Sequence, residues 1–321
     1  MRFKKLITSV MAIAMIGVMA GCNKTVEENP KTDVADAKES ILRIGVMGST
    51  DAIPLVIAQD KGYFEKEDVN IDLQVFKAAK DRDAALQAGE LDGVIADEVA
   101  ISIYQNSGID MKITGITNGI YTLVAGKDSG FNSISDLKVK IMGISERTMM
   151  DYLADYIVTE NNMEVKDIEK ISIPAMPARL EALRNNQIDA AILPAPLNDI
   201  AVADGAKEIA KIDNCDIMIS SSAFLQEIIT NNSEAVQGFY KAYNEAVEYM
   251  NKTDISEYED IVISTVGYSE DARGNIVLPE FKLNYLPSEE RVQSVFDWSF
   301  ENKIIDKKLN AKDVITDVGV K

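Results

Sequence analysis

Short apolar runs of strand length alternate with helix-patterned segments along most of this chain, and that alternation restricts its fold more than any other feature. Residues 42–47, 71–76, 93–96 and 111–117 read as strands, with helical spacing at 54–62, 81–88 and 99–105 between them. A second unit echoes the first loosely, with strands at 140–144, 170–173 and 190–193, a long helix over 146–161 and another over 178–185. Strands separated by helices cannot pair as tight hairpins, so they line up in parallel and need cover on both faces. The predicted class is α/β, in two lobes, each a mostly parallel sheet flanked by helices. One more strand, 217–220, precedes a chiefly helical remainder in which Val236, Phe239, Tyr240, Tyr243, Val247 and Met250 recur at helical spacing as a core stripe.

Arg2, Lys4 and Lys5 precede an apolar run over residues 6–20, shorter than the ~20 residues that span a bilayer as a helix. The run closes with Met19-Ala20-Gly21-Cys22, which resembles a bacterial lipobox. Residues 1–21 are therefore expected to be a signal peptide and Cys22 the lipidated residue, anchoring the chain at the extracytoplasmic face of a cell membrane. Residues 22–40 are polar and charged and read as a flexible tether. With Cys22 committed to lipid, only Cys215 remains, so no internal disulfide is expected and the core must hold itself together.

Thirty-three Lys and Arg face 52 Asp and Glu, a net charge of −19 that argues against nucleic acid as a partner. There is no histidine. Ser-His-Asp and Cys-His nucleophiles thus lack their base, and zinc, haem and copper lack their usual ligands. No D-x-D-x-D-G calcium loop appears either. Carboxylate-only hydrolysis and oxygen-ligand cations stay open on composition; no metal, no cofactor and no catalytic residue is expected.

In an open parallel sheet, ligands collect at the carboxyl ends of the strands. Gly48-Ser49-Thr50-Asp51 stands there after the first strand. Beyond it, the run from Ala52 to Gly62-Tyr63-Phe64 resembles the segment that follows the first strand in ABC-transporter substrate-binding proteins of the nitrate, sulfonate, taurine and thiamine-precursor group. Gln87-Ala88-Gly89-Glu90-Leu91-Asp92-Gly93, Ser135-Asp136-Leu137-Lys138 and Ala182-Leu183-Arg184-Asn185-Asn186-Gln187-Ile188-Asp189-Ala190-Ala191 resemble further motifs of that family. The likeness runs from residue 42 to about 230. It departs where a glycine is missing after Lys138 and where Pro194-Ala195-Pro196 replaces a frequent Glu-Pro.

The resemblance implies a two-lobe, periplasmic-binding-protein-like fold with two hinge crossings, here near 119–126 and 215–222. The first lobe would comprise 41–121, the second 122–218, and 219–321 would return to the first. It also implies a monomeric receptor that captures a small solute and delivers it to an ABC importer permease. Site candidates are loop residues of both lobes. Ser49 and Thr50 are expected to contact ligand, and Asp51 either contacts it or caps the helix that starts near Pro54. Asp97 and Glu98 either accept hydrogen bonds from an amine or cap the next helix. Arg82 contacts ligand or pairs in solvent with Asp81 or Asp83, and Thr117 and Asn118 end a strand beside the first crossing. Ser145, Arg147 and Thr148 open the long helix, where free N–H groups favour an anionic or polar group, although Ser145 also suits an N-cap. Met176 and Arg179 begin a further helix at the mouth, with Arg179 equally a surface charge.

Carboxylates at Asp51, Asp97, Glu98 and Glu146 against Arg82, Arg147 and Arg179 suggest an amine-bearing heterocycle such as a thiamine-pyrimidine precursor. Alternatives are a sulfonate, an aminosulfonate or a nitrate-type anion. Fold-related biosynthetic enzymes form the competing class, against which the export signal and the missing histidines argue.

Overall fold

A computed structural model describes residues 41–119, 121–212 and 220–321. The expected signal peptide, Cys22, the tether and Cys215 lie outside the described residues. The first sheet holds β1 (Leu42–Met47), β2 (Ile71–Phe76), β3 (Gly93–Ala96), β4 (Met111–Thr117) and the last described strand, β10 (Ser220–Leu225), in the order β2-β1-β3-β10-β4. The second holds β5 (Tyr121–Ala125), β6 (Ile141–Ile144), β7 (Glu169–Ser172), β8 (Ala190–Pro194) and β9 (Lys207–Ile212), in the order β7-β6-β8-β5-β9. The two orders are the same pattern twice. β1 pairs in parallel with β2 and β3, as β6 does with β7 and β8.

Both sheets are mostly parallel, as expected, and each is mixed by one reversed strand. β10 runs antiparallel to both β3 and β4, and β5 runs antiparallel to both β8 and β9. These two strands follow the passages between lobes, β4 to β5 and β9 to β10, so each enters its sheet from the opposite direction. The final described strand, Ser220–Leu225, runs on past the expected end at Ser220, and residues 217–219 of that expectation lie outside the described residues.

Two aspartates of the family-like motifs dock strands. Asp92 Oδ2 accepts the Arg43 backbone N–H at 2.8 Å, and Asp189 Oδ2 accepts that of Ile141 at 2.9 Å. Each fastens the turn before β3 or β8 to the start of β1 or β6.

Helices Ile53–Asp60 and Ser233–Lys252 pack on the first sheet, and the stripe from Val236 to Met250 is buried there. Helix Glu289–Glu301 does not serve the first lobe alone. Its Val292 and Phe296 join the core beside Tyr104 and Met111, while Val295 joins the core of the second sheet. Trp298 Nε1 donates to Asp155 Oδ2 at 3.1 Å, and its ring meets Tyr152 edge-on at 5.5 Å. The C-terminal segment thus spans both lobes. No helix among the described residues is long and apolar enough to cross a membrane.

Candidate functional site

A cleft of about 580 Å³ opens between the carboxyl ends of the two sheets. From the first lobe it receives Met47, Asp51, Arg82, Asp83 and Asp97; from the second, Ser145 to Met150, Met176 and Arg179; and from the crossings, Tyr121 and Ser220. Of the residues expected from the sequence, Asp51, Arg82, Asp97, Ser145, Arg147, Thr148, Met176 and Arg179 line it.

The others lie behind the wall. Ser49 Oγ donates to Asp51 Oδ1, and Thr117 Oγ1 donates to the Asp51 carbonyl at 2.8 Å. Thr50 is buried in the short turn after β1. Asn118 Nδ2 donates to the Glu280 carbonyl at 3.0 Å, away from the cleft. Glu98 is fully buried, accepts Ser221 Oγ at 3.0 Å and is pushed up to about 7, chiefly by burial.

Three of the carboxylates facing the cleft, Asp51, Asp83 and Asp97, are already engaged, whereas Glu146 lines it, exposed, on the loop 145–148. Asp51 caps no helix: it accepts hydroxyls from Ser49 and, at 2.5 Å, from Ser220 on β10, and burial raises its pKa. Asp97 caps helix Glu98–Asn106 through the Ala100 N–H at 2.8 Å, and burial raises it too. Asp83 Oδ1 accepts Arg82 Nη2 at 2.8 Å and Nε at 3.0 Å, as well as the Tyr104 hydroxyl. Arg82 is thus neither solvated nor paired with Asp81; it is 3% exposed and held by Asp83.

The second lobe differs in its chemistry. Arg147 adopts φ 60°, a left-handed conformation that an α-helix cannot continue through, so the long helix begins at Met149 with Thr148 as its N-cap. Ser145 therefore neither caps nor opens it; residues 145–148 form a loop on the cleft, and Arg147 Nη2 donates to the Ile304 carbonyl at 3.0 Å. Arg179 is 1% exposed, which rules out a surface charge. Its Nε donates to the Ile173 carbonyl and its Nη1 to the Ile192 carbonyl, both at 3.0 Å. Among the described residues its Nη2 has no hydrogen-bond partner and no carboxylate pairs with it. Burial pushes the guanidinium down to about 10. Because arginine stays protonated even so, this is a buried, uncompensated positive charge on the wall of a cleft.

Sequence reasoning missed Tyr121, although it lies within the expected first crossing. Its phenol stands near both Arg82 and Arg179, and burial raises its pKa. Four thioethers, Met47, Met149, Met150 and Met176, give the cleft a soft apolar lining that individual methionines in a sequence do not announce. Among the described residues no group of His, Cys, Asp and Glu could hold a metal ion.

The sequence signature of the NMT1-like family matches residues 35–261, more than half of the chain. The chain belongs to the NMT1-like family. A curated relative from Bacillus subtilis, named "Putative aliphatic sulfonates-binding protein", is 25% identical over 97% of this chain and 95% of its own length. Among solved structures, this NMT1-like chain is similar to the periplasmic aliphatic sulphonate binding protein SsuA from Escherichia coli (TM-score 0.71, 18% identity, 86% of this chain and 97% of that one). It is also similar to the periplasmic nitrate-binding protein NrtA from Synechocystis (TM-score 0.69, 15% identity, 87% of each chain). At these identities the structures establish the shared two-lobe architecture.

Proposed function

We propose that this protein is the solute receptor of an ABC importer and that its ligand is a small organic oxoanion of the sulfonate type. Arg179 carries the reading. A guanidinium removed from water without a counter-charge is unfavourable, and an anionic group reaching Nη2 from the cleft supplies both the missing acceptor and the missing charge. The methionine lining and a volume well above that of a bare inorganic ion suit an organic body attached to the anion. The names of the relatives, sulfonate-binding and nitrate-binding, point to the same class of ligand.

An amine-bearing heterocycle would need a carboxylate to receive it. Asp51, Asp83 and Asp97 hold internal hydrogen bonds, Glu98 stands behind the wall, and Glu146 sits exposed on the loop beside Arg147, so the buried charge left to be met is that of Arg179 and the observations favour the anion. Contact with both lobes would hold the hinge closed, and the receptor would release its ligand chemically unchanged to the permease.

Calorimetric titration of the purified protein with ethanesulfonate tests this. Arg179→Gln is expected to weaken binding about 10- to 150-fold, the equivalent of roughly 1.5–3 kcal/mol for a charged hydrogen bond. The ligand-induced rise in melting temperature, measured against each variant's own apo form, should vanish with it. Equal binding by the variant would remove Arg179 from the site and the reading with it.

A further inference from the structure

The two lobes place one arginine each at matching positions. Arg82 lies in helix Ala79–Gln87, after β2, and Arg179 in helix Met176–Arg184, after β7. Each stem crosses a strand glycine: a Cβ at Gly45 would stand 3.1 Å from Arg82 Cγ, and one at Gly143 would stand 3.2 Å from Arg179 Cγ. Each Nη1 donates to the carbonyl thirteen residues further on, Arg82 to Ile95 at 2.7 Å and Arg179 to Ile192 at 3.0 Å. Both line the same cleft.

What differs is the next residue. After Arg179 stands Leu180, packed in the core of the second lobe. After Arg82 stands Asp83, which takes up Nε and Nη2. We propose that Asp83 is a specificity-determining residue: by neutralising the arginine of the first lobe, it restricts the cleft to ligands bearing one anionic group, received by Arg179. This rests on the reading of the cleft as a sulfonate-type site.

With Nε, Nη1 and Nη2 all engaged, Arg82 offers little to a second anionic group. A ligand carrying such a group would also bring it against the Asp83 carboxylate, with Asp51 and Asp97 nearby. Repulsion of like charges in a partly desolvated cleft is strong, which makes exclusion of dianions an effective filter. Asparagine at position 83 would keep an acceptor for Arg82 and Tyr104 while removing the charge. Arg82 would then face the cleft as a second cation, freed of its ion-pair partner.

Calorimetry at matched ionic strength with ethanesulfonate and 1,2-ethanedisulfonate tests the assignment. Wild type should prefer the monosulfonate. Asp83→Asn should lower the ratio of disulfonate Kd to monosulfonate Kd at least tenfold, and the double variant Arg82→Gln/Asp83→Asn should restore it. Asp83→Ser, which also retains an acceptor, serves if the asparagine variant does not fold. Monosulfonate binding with an unchanged ratio, or a gain that persists without Arg82, would overturn the role of Asp83 alone. Failure of wild type to bind either sulfonate would instead remove the sulfonate reading, and this assignment with it.

Discussion

Carboxylates that look alike in the sequence separate by what the backbone offers them. Asp92 accepts from the Arg43 N–H and, through Nε and Nη2, from its guanidinium at 2.9 and 2.6 Å. It is structural, so Asp92→Ala should cost about 1.5–3 kcal/mol in urea unfolding and leave Kd for ethanesulfonate unchanged. Glu98 makes a prediction of the opposite kind. Burial lifts it from 4.5 to about 7 in the folded chain, so between those values the native state holds a proton that the unfolded state has released. Its contribution to stability therefore falls as pH rises from about 4.5 to about 7 and is flat above, a span of about 3 kcal/mol at 1.36 kcal/mol per unit. Urea titrations at pH 5 and pH 8 should show a smaller loss in Glu98→Gln than in wild type; parallel losses would refute the assignment. Arg179 was visible in the sequence as a cation at a helix start. Its lack of a counter-ion was not, because that depends on which groups of β8 and the neighbouring loop face it in three dimensions.

Elements were legible where their pattern was apolar. The bounds read for β1 to β4 coincide with the observed strands, since β1, β3 and β4 are largely buried runs, β2 mixes exposed with half-buried residues at the sheet edge, and each is ended by turn or helix-start residues. The strand expected at 217–220 was not read on into β10 because Ser220, Ser221 and Ser222 carry no hydrophobic period. β10 is nonetheless a central strand, its hydroxyls satisfied by Asp51, Glu98 and Tyr240 respectively. β9 and β5 escaped because both lie beside crossings, where the alternation of strand and helix breaks down. The start of helix Met149–Glu160 was placed too early for a local reason, the left-handed Arg147. Thr148 accepts the Met150 N–H at 3.2 Å, so Thr148→Ala should lower stability by about 1 kcal/mol in thermal or urea unfolding.

At the scale of the whole molecule, the repeated sheet order places two equivalent loop clusters face to face, and the C-terminal segment ties them together. Trp298, the single tryptophan of the sequence, sits on that tie against Tyr152 and Asp155 of the second lobe. If ligand closes the lobes, its fluorescence should change on titration with ethanesulfonate, and Arg179→Gln should abolish the change. The proposed lipid anchor is testable separately: Cys22→Ser should release the protein from the membrane fraction, and normal retention would contradict lipidation at that thiol. The most direct test of the central claim is mass spectrometry of the small molecule released on denaturing protein purified from its own host. The account predicts an organic sulfonate-type anion carrying a single negative charge at one per chain. A bound thiamine pyrimidine or other cationic amine, with no anion, would contradict it.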